Sequence, residues 1–153
     1  MATALQLEQL ITNLYGTDFL AWTESQAEAL RTRQVGALDW ANLLEEVESM
    51  GVSQRHELRS RLKVLLVHLI KWQWQPERRG TSWLTTIGNQ RFEINGLLKD
   101  SPSLRRFIPE MLVDAWARAR DEAEEETGIK ADTFPEGCPW DVDGKILSGW
   151  LPE

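Results

Sequence analysis

The chain has 153 residues, a formal charge of −7 and one cysteine, Cys138. That length supports a core without staples, so a single domain over residues 1–153 is expected. One cysteine excludes an internal disulfide and a cysteine-rich metal site, and the acidic balance disfavours nucleic acid as a partner.

The charge is unevenly placed. Residues 1–54 hold two Lys/Arg against eight Asp/Glu, residues 55–91 hold eight against two, and residues 92–153 hold seven against fourteen. A basic central hairpin wrapped by acidic helices of the same molecule is the simplest expectation. The N-terminus has no basic start followed by an apolar stretch, so no secretory leader is expected and the cytoplasm is the default location.

Taken in order, the chain reads as helices throughout. Thr3 can cap a first helix with Leu7, Leu10, Ile11 and Leu14 inward and Gly16 as its stop. Thr17 or Asp18 caps a second, running to about Arg33 with Phe19, Trp22 and Leu30 inward. Asp39 caps a third, whose inner face is expected to be Trp40, Leu43, Leu44, Val47 and Met50, opposite Glu45, Glu46 and Glu48. Gly51 closes it.

Ser53 is then read as the cap of a central helix reaching Gln75. On a wheel of about 100° per residue, Leu58, Leu62, Leu65, Leu66, Leu69, Ile70 and Trp72 share one broad arc. A helix apolar on most sides belongs in the middle of a bundle. Its apolar run is far too short for a bilayer span of about 20 residues, so no membrane association is expected. Pro76 ends it.

After a Pro76–Gly80 turn, Ser82 caps a helix to about Lys99 with Leu84, Ile87, Ile94 and Leu98 inward. Arg91 lies within that stripe, where a guanidinium needs a carboxylate or a polar cleft. Gly88 and Gly96 suggest close helix approach. A short helix covers Leu104 to Ile108. From Pro109 a further helix runs to Thr127 with Leu112, Ala115, Trp116, Ala119 and Ala123 inward, and Gly128 stops it. Glu126 extends that stripe and is the expected partner of Arg91, with Glu45 or Glu46 as competitors. A last short helix is placed at Val142 to Leu147, and Trp150, Leu151 and Pro152 read as a C-terminal anchor. The fold class is therefore all-α, a bundle of about six helices around the central helix at 53–75.

No glycine-rich phosphate loop, paired-histidine motif or nucleophile–base arrangement occurs, so no cofactor and no metal is assigned. The polar residues set on apolar faces form a candidate cluster: Asp39, Glu45, Glu46, Arg61, His68, Lys71, Arg91 and Glu126. His68 reads as a core histidine with a hydrogen-bond partner, or else as a general base. A carboxylate metal site from Asp39, Glu45, Glu46 and His68 is an alternative. Trp74, Arg78 and Arg79 form a candidate interaction surface, against the simpler reading that the arginines pair with acidic helices.

Several blocks carry a family resemblance. They are Tyr15-Gly16-Thr17-Asp18-Phe19-Leu20-Ala21-Trp22, Leu38-Asp39-Trp40 with Glu45-Glu46, and Ser60-Arg61-Leu62. Further blocks are His68-Leu69-Ile70-Lys71-Trp72-Gln73-Trp74-Gln75-Pro76-Glu77, Ser82-Trp83 with Thr86-Ile87, Arg91, and Ser101-Pro102-Ser103-Leu104. Glu126-Thr127-Gly128 and Phe134-Pro135 with Cys138-Pro139 complete the set. In this combination the chain resembles the bacterial, cyanobacteria-rich domain-of-unknown-function family twenty-nine. The resemblance implies a compact all-helical domain and supplies no activity.

The leading expectation is a non-enzymatic helical protein whose partner is another protein, self-association included. The alternatives are a hydrolase or nuclease-like enzyme using Glu45, Glu46, His68 and Arg91 with Lys71, and nucleic-acid binding through residues 55–91.

Overall fold

A computed structural model describes all of residues 1–153. The fold is an all-α bundle without strands. Its α-helices are α1 (Ala4–Thr17), α2 (Phe19–Arg31), α3 (Trp40–Trp74), α4 (Thr81–Asp100) and α5 (Ile108–Thr127). Short 3-10 turns at Val35–Ala37, Pro76–Arg78, Pro102–Phe107 and Ala131–Thr133 join or follow them, and a single π turn occupies Val142–Ile146. The chain forms two compact units, Met1–Val52 and Ser53–Glu153.

The ends of the first two helices follow from side-chain capping. Thr3 Oγ1 accepts from the Gln6 amide while Gln6 Oε1 accepts from the Thr3 amide, a reciprocal capping box. Of the two expected caps for α2, Asp18 is used: its Oδ1 accepts from the Ala21 amide at 3.0 Å. Beyond α2, Arg33 sits at φ 55, and the Gln34 amide reaches back to the Ala29 carbonyl at 2.9 Å. This is a Schellman-type ending in which a bulky residue occupies the left-handed position that glycine normally takes.

The expected break at Gly51 and new start at Ser53 do not form; α3 runs unbroken for 35 residues. Gly51 carries no positive φ. A glycine in a helix costs about 1 kcal/mol relative to alanine but does not end the helix unless it adopts the left-handed conformation. Gly128 does adopt it, at φ 75, and α5 stops there as expected. Pro76 likewise ends α3 where the sequence places the stop.

In the unit Ser53–Glu153 the core is built around the second part of α3. Leu58, Leu62, Leu65, Leu66, Val67, Leu69 and Ile70 are all buried. Each such side chain contributes about 1.5–3 kcal/mol of transfer free energy. Ile87, Ile94 and Leu98 of α4 and Met111, Ala115, Trp116, Ala119 and Ala123 of α5 complete that core with Phe134, Trp140, Ile146 and Leu147 from the tail. Trp116 Nε1 donates to the Pro135 carbonyl at 2.9 Å and its ring meets Trp140 edge-on, which ties the tail to α5. Leu84, expected inside, is exposed. Nothing lies within 4 Å of where a Cβ would stand on Gly88 or Gly96, so neither glycine marks a close helix crossing.

The unit Met1–Val52 is different. Only Trp22, Gln26 and Ala29 are fully buried, all from α2. Tyr15, Phe19 and Trp22 pack ring on ring at centroid distances of 4.9–5.8 Å. Gln26 bridges the unit: its Nε2 donates to the Ala37 carbonyl and its Oε1 accepts from the Asp39 amide.

Candidate functional site

The basic stretch of α3 is neutralised inside its own unit, as the charge distribution suggests. Lys63 Nζ meets Glu122 at 2.7 Å and Lys71 Nζ meets Glu126 at 2.8 Å, while Arg61 Nε meets Glu57 at 3.0 Å. Lys71 also lies over the Trp83 ring, 4.9 Å from its centroid. The two lysine pairs join the core helix to α5, and the arginine pair lies within α3 itself.

Arg91 is buried at 9 % exposure, as the wheel indicates, but its partner is not a carboxylate. Nε donates to the Ile146 carbonyl at 2.8 Å, and Nη2 donates to the carbonyls of Lys145 at 3.1 Å and Trp150 at 2.6 Å. The expected Arg91–Glu126 pair is absent because Glu126 is held by Lys71. Burial pushes the guanidinium below the usual arginine range. It nevertheless stays charged, and its flat fork of donors is spent on the C-terminal tail.

His68 is half-buried, and its Nδ1 lies 2.8 Å from the Val64 carbonyl one turn back. Trp74 packs edge-on against Phe134 at 5.1 Å. Arg79, expected to reach an acidic helix, instead donates to the Trp72 carbonyl at 2.6 Å and stacks over the Trp72 ring; Arg78 remains exposed. Cys138 is half-buried, and burial pushes its thiol up.

Asp39, Glu45 and Glu46 belong to the unit Met1–Val52. Asp39 Oδ2 accepts from Trp22 Nε1 at 3.0 Å and from Asn42 Nδ2 at 2.7 Å. Glu46 accepts from the Tyr15 hydroxyl at 2.6 Å. That bond, loss of solvent, and the charges of Glu45, Glu46 and Asp39 push the phenol from 10.0 up to about 12. No three His, Cys, Asp or Glu side chains converge as metal ligands. Apart from Glu45, which is exposed, the candidate residues are thus divided among separate internal contacts.

What the unit Met1–Val52 does present is an apolar surface. Trp40, Leu44 and Val47, read as an inner face, are exposed by 63 %, 59 % and 63 %. They recur at i, i+4 and i+7, which places them on one stripe. Asp39, Asn42, Leu43 and Glu46 are half-buried; Glu46 meets Tyr15 of α1, Asp39 meets Trp22 of α2, and Asn42 donates to Asp39. Phe19, Leu20, Leu7 and Leu10 are exposed as well. Beside the stripe, Glu8, Ile11, Leu38, Asp39 and Trp40 line a pocket of about 390 Å³. Large contiguous apolar patches are uncommon on the surfaces of globular proteins.

The fold and these contacts define an all-α protein with a packed C-terminal unit and an N-terminal unit that turns an apolar stripe outward. The chain belongs to the family described as domain of unknown function DUF29, whose profile matches residues 14–151. No curated protein and no solved structure matches it. No helix is long and apolar enough to cross a membrane.

Proposed function

We propose that the protein is a non-enzymatic interaction module that docks a protein partner on the Trp40–Leu44–Val47 stripe of α3. The observation that carries this reading is the stripe's exposure in a unit that fully buries only three side chains. A segment of this size buries little apolar surface by itself. Covering the stripe would supply the missing burial at about 25 cal/mol per Å².

The enzymatic alternative has less support. Arg91 is engaged by three carbonyls, Lys71 by Glu126 and Glu46 by Tyr15, so most of the groups that would act together are already committed. The nucleic-acid alternative meets a basic segment whose Arg61, Lys63 and Lys71 already face carboxylates.

A photo-crosslinking residue placed at Val47 of the full chain, expressed in its native host, tests the reading. Adducts are expected there and not at Val113, a still more exposed apolar position on α5. Adducts at neither site, or equally at both, would contradict it.

A further inference from the structure

We infer that the occupant of this stripe is a basic, amphipathic helical segment of a partner protein. The inference rests on the interaction reading above and adds the chemistry of the partner. Spacing at i, i+4 and i+7 on Trp40, Leu44 and Val47 is the pattern that a second helix meets with its own apolar stripe. The charges around the stripe then choose among helices. Residues 1–52 carry eight Asp/Glu against two Lys/Arg. One of those two, Arg31, is paired to Glu28, and the other is Arg33.

Glu48 is exposed on α3 at the edge of the stripe. Glu8, Asp39 and Trp40 are among the residues that line the adjoining pocket, and no Lys or Arg stands in its wall. A Lys or Arg entering it meets acidic residues and a tryptophan together.

The same charges weigh against the other occupants. A second copy would set two such acidic faces against each other. A nucleic-acid backbone or an anionic lipid surface is repelled by the same carboxylates. A cationic helix places its apolar side on the stripe and its basic flanks against Glu48 and the pocket mouth.

The test uses two labelled synthetic helical peptides of about 20 residues, long enough to span the stripe. Both carry leucine at i, i+4, i+7 and i+11; one has lysine at the flanking positions and the other glutamate. Titrated with the full chain, the lysine peptide is expected to bind at least about tenfold more tightly than the glutamate peptide. Its affinity is expected to fall as salt is raised. Leu44→Gln should weaken it by about tenfold or more, and Glu8→Gln with Glu48→Gln should flatten the salt dependence.

Equal binding of the two peptides, or binding of neither, overturns the inference. So does a dimer in sedimentation that Leu44→Gln dissolves, or uptake onto phosphatidylserine vesicles. Crosslinks at Val47 without a preference for the basic peptide would remove this occupant and leave the interaction reading standing. Absence of those crosslinks would remove the reading itself.

Discussion

Arg91 Nε donates to the carbonyl of Ile146 at 2.8 Å, and through that bond and two more to Lys145 and Trp150 one side chain holds the C-terminal tail on α4. Nothing acidic shares the arrangement. A cation is stabilised here by oriented backbone dipoles instead of a counter-charge, and the tail's carbonyls are satisfied in return. Arg91→Met removes all three bonds and leaves the buried carbonyls without donors. We expect a loss of about 3 kcal/mol or more in urea unfolding, with the chain after Trp140 becoming sensitive to limited proteolysis. Arg91→Lys keeps the charge without the fork and should recover only part of the loss. A Met variant within about 1 kcal/mol of the parent would show that the tail is held by other means.

Tyr15 is the single tyrosine of the chain, so its titration is read without ambiguity. Its folded-state pKa is raised, first by the hydrogen bond to Glu46, from 10.0 to about 12. The protonated phenol is therefore favoured by the fold. Its contribution to stability is complete below 10.0 and is lost as pH climbs toward about 12. Tyrosinate absorbance should be largely absent at a pH where a free tyrosine is already ionised. Glu46→Gln should move the transition downward, because it removes the charge that makes the phenol proton hard to lose. An unchanged midpoint in that variant would break the assigned link.

Backbone conformation gives a reciprocal pair of substitutions. Gly88 is exposed within α4 with free space around its missing Cβ, so Gly88→Ala should stabilise the protein by about 0.5–1 kcal/mol. Arg33 holds a left-handed φ of 55, so Arg33→Gly should stabilise the end of α2 by about 1 kcal/mol at most. Chemical denaturation checks both, and a loss of stability in either would mean that its side-chain environment has been misread.

The core of the unit Ser53–Glu153 was legible because its periodicity is unambiguous. Leu58, Leu62, Leu65, Leu66, Leu69 and Ile70 share one arc and are all buried. Arg91 was found in a buried stripe by the same means, yet its partners were not: they are backbone carbonyls, which every residue carries and no sequence pattern marks. The Trp40–Leu44–Val47 stripe shows the other limit. Periodicity reveals that a helix has an apolar side, but not whether that side meets its own chain or something else. Gly51 was misread as a stop because glycine ends a helix through its φ, which composition does not report.

The central claim is that Leu44 and Val47 face outward and are kept apolar for a partner. Its most direct test is urea unfolding of Leu44→Gln and Val47→Gln in the isolated full chain. Exposed positions predict a change within about 0.5 kcal/mol for each variant, because no internal packing is lost. A loss of about 2–4 kcal/mol at either position would place that side chain in the protein's own core and contradict the account.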